Sequence, residues 1–380
     1  MRLWIVVLLC TLSMTAQKRY ALEGKLGKQD IFMFFSDYTG TEYASDDKRI
    51  LDVRYFYKNS LKDIVLEGRR EKNGFTFFFE DHDTIFEQFT LTEKADLSLV
   101  GTWKGKNGKS LAVSLHPTSY SYLSEKYNWL DYDKDDQPFD LAKAELLSFR
   151  KDSTSTFKGQ KIDWYTETHC AAPMFRLVDG FPKKERDIVN QKLQRIHYQL
   201  AINQLGCASR YDYSDGKGME ISIEMGYLDQ NLLGFEINCF YYCGGAHPDV
   251  WHAGNLIDMH NGYEYGLDEI LEFDPSAQQI AGNDERRWEY RENYFAPKLY
   301  ALLNQEYHFK KPAISPEGQE QDPCDYTELE YWESVSWAFT TKGINFTPYF
   351  YRLARNCEEP FLVPFELLRA YRNPSFPYRF

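Results

Sequence analysis

Between residues 20 and 116 the chain repeats one pattern three times, and few folds accommodate it. Leu22-Glu-Gly24 precedes Ile31-Phe-Met-Phe-Phe35, Leu66-Glu-Gly68 precedes Phe75-Thr-Phe-Phe-Phe79, and Leu99-Val-Gly101 precedes Ser110-Leu-Ala-Val-Ser-Leu115. Each unit reads as a hairpin. Short β-prone runs flank Asn73-Gly74 and Asn107-Gly108, dipeptides that tolerate the positive φ of a type I′ turn. Glycine at the ends of repeated strands marks bends, so residues 17–117 are expected to form an antiparallel meander that curls into a half-barrel or small barrel. No ligand signature falls within it.

The first sixteen residues read as an export signal: Arg2, the apolar run Leu3 to Leu12, then Ser13-Met-Thr-Ala16 before Gln17, with cleavage expected after Ala16. The run is about ten residues, against the ~20 that a spanning helix needs, and no later window comes close. Leu9 is bulkier than the residue a lipoprotein peptidase prefers before Cys10, so a lipid anchor is not expected. Periplasmic or secreted localisation follows.

Of seven cysteines, Cys10 lies in this leader, leaving Cys170, Cys207, Cys239, Cys243, Cys324 and Cys357. An even set in an oxidising compartment reads as disulfides, with 15 possible connectivities. Cys170 with Cys207 and Cys324 with Cys357 each bracket an element and are the expected pairs. The chain carries 44 basic and 57 acidic residues, a formal charge of −13, which makes nucleic acid a poor partner and a basic protein a better one. Aromatics reach 17%, with 28 Tyr, as in β-rich extracellular proteins and in surfaces that make contacts through amphipathic rings.

Residues 118–154 read as an acidic linker around Asp131-Tyr-Asp-Lys-Asp-Asp136-Gln-Pro138. Asp131, Asp133 and Asp135 alternate as in a calcium loop, but Asp136 and Ala142 stand where an EF-hand needs Gly and a bidentate Glu. From Ile162 the pattern becomes α+β. Val189, Leu193, Ile196 and Leu200 mark a helix, with Gly206 placed as its left-handed terminator. Met219 to Met225 and Leu233 to Tyr241 alternate as a half-buried strand pair, and a second helix near 284–307 is expected to kink at Pro297. Strands at Val335 to Phe339 and Ile344 to Phe346 and a short helix from Phe365 to Tyr371 close the chain. The expected fold is therefore a β meander or barrel, then a disulfide-containing domain of antiparallel sheet with packed helices over 155–380.

Within that second domain, Phe175-Arg-Leu-Val-Asp-Gly-Phe with Asn190 and Leu193, the Gly244-Gly-Ala-His-Pro248 loop, Asp258-Met-His-Asn-Gly262 before Leu267-Asp-Glu-Ile270, Phe339 to Phe346, and Phe361-Leu-Val-Pro-Phe-Glu-Leu-Leu368 resemble the PdaC/RsiV-like extracytoplasmic modules. Those modules occur in lysozyme-sensing anti-sigma regulators and in peptidoglycan deacetylases. The resemblance covers about 60% of the chain. It implies the fold, an extracytoplasmic place and, from the anti-sigma regulators, lysozyme as a partner class; in the deacetylases catalysis belongs to another domain. This chain departs from the regulators in lacking a sigma-binding segment and a transmembrane helix.

Cys239-Phe-Tyr-Tyr-Cys243-Gly-Gly-Ala-His247-Pro248 ends an alternating strand in an aromatic, cysteine-flanked loop. Tyr241, Tyr242, Gly244, Gly245, His247 and Trp251 are its candidate binding residues. His247, His252 and His260 lie near Asp249 and Asp258, but their spacing does not put all three on one strand face, and no metal site is expected. His169-Cys170 places a base beside a thiol, a neighbourhood that catalytic pairs rarely use. No Gly-x-Ser-x-Gly, His-Glu-x-x-His or phosphate-cradling glycine loop occurs. No catalytic residue and no cofactor is expected. The reading is an exported, non-enzymatic envelope protein that binds a basic protein, such as a lysozyme, or a cell-wall glycan. A cell-wall or polysaccharide hydrolase and a purely structural envelope accessory are the alternatives. A hydrolase would bury convergent titratable groups in a cleft, whereas a binder would expose an aromatic patch rimmed by charge.

Overall fold

The computed structural model describes residues 18–37, 49–81, 84–131, 137–207, 218–243, 247–275, 286–312 and 324–380. It divides into two compact units, Met1–Leu147 and Ser148–Phe380. The leader therefore lies outside the described residues.

The first unit is a closed antiparallel barrel of eight strands: β1 (Lys18–Leu26), β2 (Gln29–Asp37), β3 (Arg49–Tyr57), β4 (Ile64–Glu71), β5 (Gly74–Asp81), β6 (Thr84–Glu93), β7 (Leu99–Gly105) and β8 (Ser110–Pro117). β1 pairs with β8 from Leu22↔Pro117 to Leu26↔Val113, so no sheet edge is left between first and last strand. The repeated glycines permit the strong coiling this needs. A Cβ on Gly24 would lie 2.0 Å from the Ser114 carbonyl oxygen, and one on Gly101 2.0 Å from that of Thr90. At the expected turns Gly108 adopts φ +75, whereas Gly74 opens β5 and does not take a positive φ.

Ile31, Met33, Phe35, Tyr55, Phe75, Phe77 and Phe89 fill the barrel. The continuous apolar run of β2 has a separate cause, since its other face is buried too. Phe32 and Phe56 face Phe139 at ring separations of 6.0 and 5.1 Å. Phe139 belongs to α2 (Gln137–Leu146), which follows a short helix, α1 (Ser121–Lys126).

The expected acidic linker is corrected here. Phe139, Leu141, Ala142 and Ala144 are buried, and Lys143, 1% exposed, places Nζ 2.6 Å from the buried Asp63 carboxylate. The apolar spacing in α2 outweighs the charge run before it. Of that run, residues 132–136 lie outside the described residues, Asp133 and Asp135 among them.

Among its described residues the second unit holds three three-stranded antiparallel sheets. The first comprises β9 (Phe149–Phe157), β10 (Gln160–Glu167) and β11 (Pro173–Leu177), in the order β11-β10-β9. The second is β12 (Met219–Leu228), β13 (Leu232–Tyr241) and β14 (Asp249–Asp258). The third is β15 (Ser336–Phe339), β16 (Gly343–Thr347) and β17 (Phe361–Pro364). This is the α+β architecture expected of the region.

Helix α3 (Lys183–Cys207) packs against β11. Its buried stripe is Val189, Leu193, His197, Leu200 and Ala201, so His197 takes the place expected of Ile196. Gly206 is inside the helix rather than beyond its end. Asn190 extends the β11 hydrogen-bond pattern from the helix: its Oδ1 accepts from the Leu177 N–H at 2.8 Å and its Nδ2 donates to the Leu177 carbonyl at 2.9 Å. The helix expected near 284–307 is interrupted as Arg287–Tyr290, a π turn over Arg291–Phe295, and Ala296–Tyr307. The wider turn directly precedes Pro297, which has no N–H to continue a regular ladder.

Glycines let β15 lie on the β12–β14 sheet. A Cβ on Gly254 would sit 1.4 Å from the Trp337 carbonyl oxygen, and one on Gly226 2.0 Å from that of Phe339. Phe339, Ile344 and Phe346 continue from this contact into a core with Leu299, Leu303 and Trp332.

His197 gives the fold a pH dependence. It is fully buried and donates from Nε2 to the Ala172 carbonyl at 2.7 Å. Burial, reinforced by the nearby Arg176 charge and opposed by the Ala172 bond, pushes its pKa down to about 4. The unfolded chain, with a histidine near 6.5, therefore takes up the proton first, and stability falls as pH drops from about 6.5 through 4. At 1.36 kcal/mol per pH unit the loss is on the order of 3 kcal/mol. Urea unfolding at pH 7 and pH 4.5 should show the wild-type chain losing most of this amount relative to His197→Gln, which has no imidazole to protonate; parallel losses would contradict it.

Candidate binding surface

β13 and β14 pair from Leu232↔Asp258 to Tyr241↔Asp249, and the loop joining them is the one singled out by sequence. Gly244 and Gly245 lie outside the described residues. The loop's first side is covalently fixed, because Cys243 is bonded to Cys207, the last residue of α3, at a Cα separation of 4.6 Å. The Tyr242 N–H also donates to the Gly218 carbonyl at 2.7 Å. This corrects the expected Cys170–Cys207 pair. Cys170 Sγ lies 3.7 Å from the Ala201 carbonyl oxygen, six residues before Cys207. Six helical residues are about 9 Å of axis, beyond the ~7 Å limit between bridged Cα atoms.

Cys324 and Cys357 form the second disulfide, with Cα atoms 5.3 Å apart. It holds the 3₁₀ segment Arg352–Cys357. Two arginines of that segment reach the loop: Arg352 donates to the His247 carbonyl, and Arg355 Nε lies 3.0 Å from Asp249 Oδ1. The latter contact is ionic, since Nε is not directed along a hydrogen bond. Arg355 also pairs with Glu358 and stacks over Tyr349, its guanidinium carbon 4.0 Å from the ring centre. Glu358 in turn accepts the Phe350 N–H at 2.8 Å.

Between β14, β15 and this segment runs a groove of about 340 Å³, lined by Val250, His252, Gly254, Trp337, Tyr349 and Arg355 among others. His252 reaches across to Asn238, Nδ1 to Oδ1 at 2.5 Å. Burial lowers its pKa, Arg355 adds to the effect and Glu358 opposes it, so it is neutral at neutral pH. Around the groove the exposed apolar side chains are Phe240 at 49%, Tyr349 and Tyr351 at 52% each, and Leu353 at 80%. Such exposure in large side chains close to fixed charges is the composition of a contact surface rather than of a core.

The sequence candidates divide. Tyr241 is half-buried, its hydroxyl 3.4 Å from Asp249, while His247 is exposed and tied through its backbone to Arg352. Trp251 is half-buried opposite Cys239 and is among the residues that line the groove. Sequence reasoning missed Tyr349, Tyr351, Leu353, Arg352 and Arg355. Their signal was present, since Tyr349-Phe-Tyr-Arg-Leu-Ala-Arg355 is an aromatic and basic run leading directly into Cys357.

His260 lies past the far end of β14, held by Glu185 at 2.9 Å and Asn231 at 3.1 Å, so it does not join His252. His169 and Cys170 also part, with the His169 ring on Glu167 at 2.9 Å. Among the described residues, no group of three or more His, Cys, Asp or Glu is placed to hold a metal ion, and no helix is long and apolar enough to cross a membrane.

No family model matches the chain, and no curated protein matches it. Solved structures similar to it include two members of the domain-of-unknown-function family DUF3298. One, from Bacteroides fragilis, is 15% identical over 60% of this chain and 94% of its own, with a TM-score of 0.32. The other, from Pseudomonas aeruginosa, is 13% identical over 61% and 95%, with a TM-score of 0.26. These values carry no argument about function, which rests on the chain's own geometry.

Non-reducing peptide mapping of oxidised protein should recover the Cys207–Cys243 and Cys324–Cys357 peptides, with Cys170 and Cys239 alkylated as thiols after unfolding. A Cys170–Cys207 peptide would contradict the assignment.

Proposed function

We propose that the chain is an exported, non-enzymatic envelope protein whose second unit binds a partner through the aromatic surface at the Tyr241/Asp249 end of β13 and β14. The observation that carries this reading is the frame beneath Tyr349, Tyr351 and Leu353. Their segment is bonded at Cys357, bridged by Arg352 and Arg355 to the loop, and the loop is bonded at Cys243. Side chains already ordered before contact lose little conformational freedom on binding, and aromatic anchors then supply most of the affinity.

Two disulfides are consistent with an extracytoplasmic place. What favours binding over hydrolysis is that the titratable groups at the groove are engaged with one another, Arg355 by Asp249 and Glu358, and His252 by Asn238. The formal charge of −13 favours a basic protein, and lysozyme-like hydrolases are the class to try first.

Calorimetric titration of the full chain with hen lysozyme should give a saturable heat, and Tyr349→Ala with Tyr351→Ala should raise Kd by roughly 30-fold, as for a 2 kcal/mol anchor. Added salt should chiefly slow association. No heat and no co-elution at tens of micromolar would remove lysozyme. Release of reducing ends from purified peptidoglycan by the chain would overturn the non-enzymatic reading.

A further inference from the structure

Arg176 lies in a different part of the second unit. It sits on β11 directly across from Asp163 on β10, at a cavity of about 670 Å³ also lined by Tyr165, Asn190, Gln191 and Gln194. Residues of α3 form the wall beside the strands, and the depression is open to solvent. A guanidinium in such a place normally takes a carboxylate, because desolvating a cation is costly unless it is paired. Here, among the described residues, Arg176 makes no ion pair. Asp163 accepts instead from Lys151 Nζ at 2.7 Å and from the Thr154 hydroxyl at 2.6 Å. Asp187, also at the cavity, pairs with Lys183. In a chain with 57 acidic residues, a partly buried arginine left without one stands out.

The arginine is nevertheless held in place. Nη1 donates to the Phe175 carbonyl at 2.7 Å, and Nη2 faces His197 Nδ1 at 3.4 Å. Because His197 donates from Nε2 to Ala172 and is neutral, its Nδ1 lone pair is available to accept from the guanidinium. The Tyr165 ring centre lies 5.8 Å from the guanidinium carbon. Two of the five N–H donors are thereby used, and the remainder have no protein acceptor among the described residues. Burial pushes the Arg176 pKa down to about 10, with Tyr165 and Tyr198 opposing, so the group stays charged at neutral pH.

We propose that this cavity binds a small molecule through a carboxylate, with Arg176 as the anchoring cation and His197 as the residue that positions it. A planar carboxylate matches the guanidinium fork, whose remaining donors are partly buried at this depression. Asp163 and Asp187 at its wall disfavour a doubly charged phosphate. The side-chain amides of Gln191 and Gln194 supply donors and acceptors for polar groups on the rest of the ligand. Two sources share this chemistry, an acidic sugar and a peptide C-terminus.

Full-length protein labelled with ¹⁵N-arginine should be titrated with glucuronate and with acetyl-Ala-Ala, each against its uncharged counterpart, glucose and the peptide amide. The Arg176 Nε–Hε signal is assigned by its loss in Arg176→Lys. At least one acid should shift that signal while its uncharged counterpart does not, and the acid that does so identifies the source. Arg176→Lys should weaken the calorimetric affinity at least tenfold with an unchanged thermal melt. His197→Ala should broaden the Arg176 signal of the unliganded chain, a local change that a general loss of stability would not produce. The proposal fails if neither acid moves the signal up to about 10 mM, the weak limit of useful affinity. It fails equally if the uncharged counterparts shift the signal as strongly, or if Arg176→Lys binds as well as wild type.

Discussion

The second unit depends on a backbone-to-backbone approach that only glycine allows. With the Trp337 carbonyl oxygen 1.4 Å from where a Gly254 Cβ would stand, any side chain there would lift β15 off the sheet. Laid down as it is, β15 brings β16 and β17 with it, and Phe339 and Phe346 meet Leu299, Leu303 and Trp332 in one core of the unit. The same missing side chain shapes the groove, since Gly254 forms its wall between His252 and Trp337. Core and surface groove thus follow from one contact.

Cross-links then fix the end of the sheet that the glycine contact leaves open. Each disulfide closes a long loop, 36 residues for Cys207–Cys243 and 33 for Cys324–Cys357, worth about 4 kcal/mol apiece in the chain-entropy model. Neither bond directly joins the loop after β13 to the segment 352–357. The arginines do that, Arg355 to Asp249 and Arg352 to the His247 carbonyl. Arg355 is 14% exposed and Asp249 17%, so this link is shielded from screening more than an ordinary surface pair.

Local signals in the sequence were legible, and assembly was not. The hairpin repeat implied a curled meander because glycine bends and short turns are written within a few residues of each other, and the barrel follows. The α3 stripe was readable to within one position, with His197 replacing Ile196 because Ala172 and Arg176 offered it partners from 21 or more residues away. The acidic run hid α2, whose apolar face becomes visible only once Phe32 and Phe56 are known to point out of the barrel. Of the two expected disulfides, Cys324–Cys357 formed, and Cys170–Cys207 failed for the same reason: bracketing a helix says nothing about where along its axis a thiol will dock. The candidate surface was half seen, as the loop with Tyr241 and His247, while its partner segment lies about a hundred residues later and is joined to it by Arg352 and Arg355.

Hydrogen exchange measured by mass spectrometry on oxidised and selectively reduced protein tests most directly whether this surface is one cross-linked frame. The account predicts that reduction accelerates exchange at least tenfold in peptides covering both 247–253 and 349–357, while β9 to β11 and the barrel strands exchange as before. Exchange in those two segments that is indifferent to reduction, or that responds in only one of them, would contradict it.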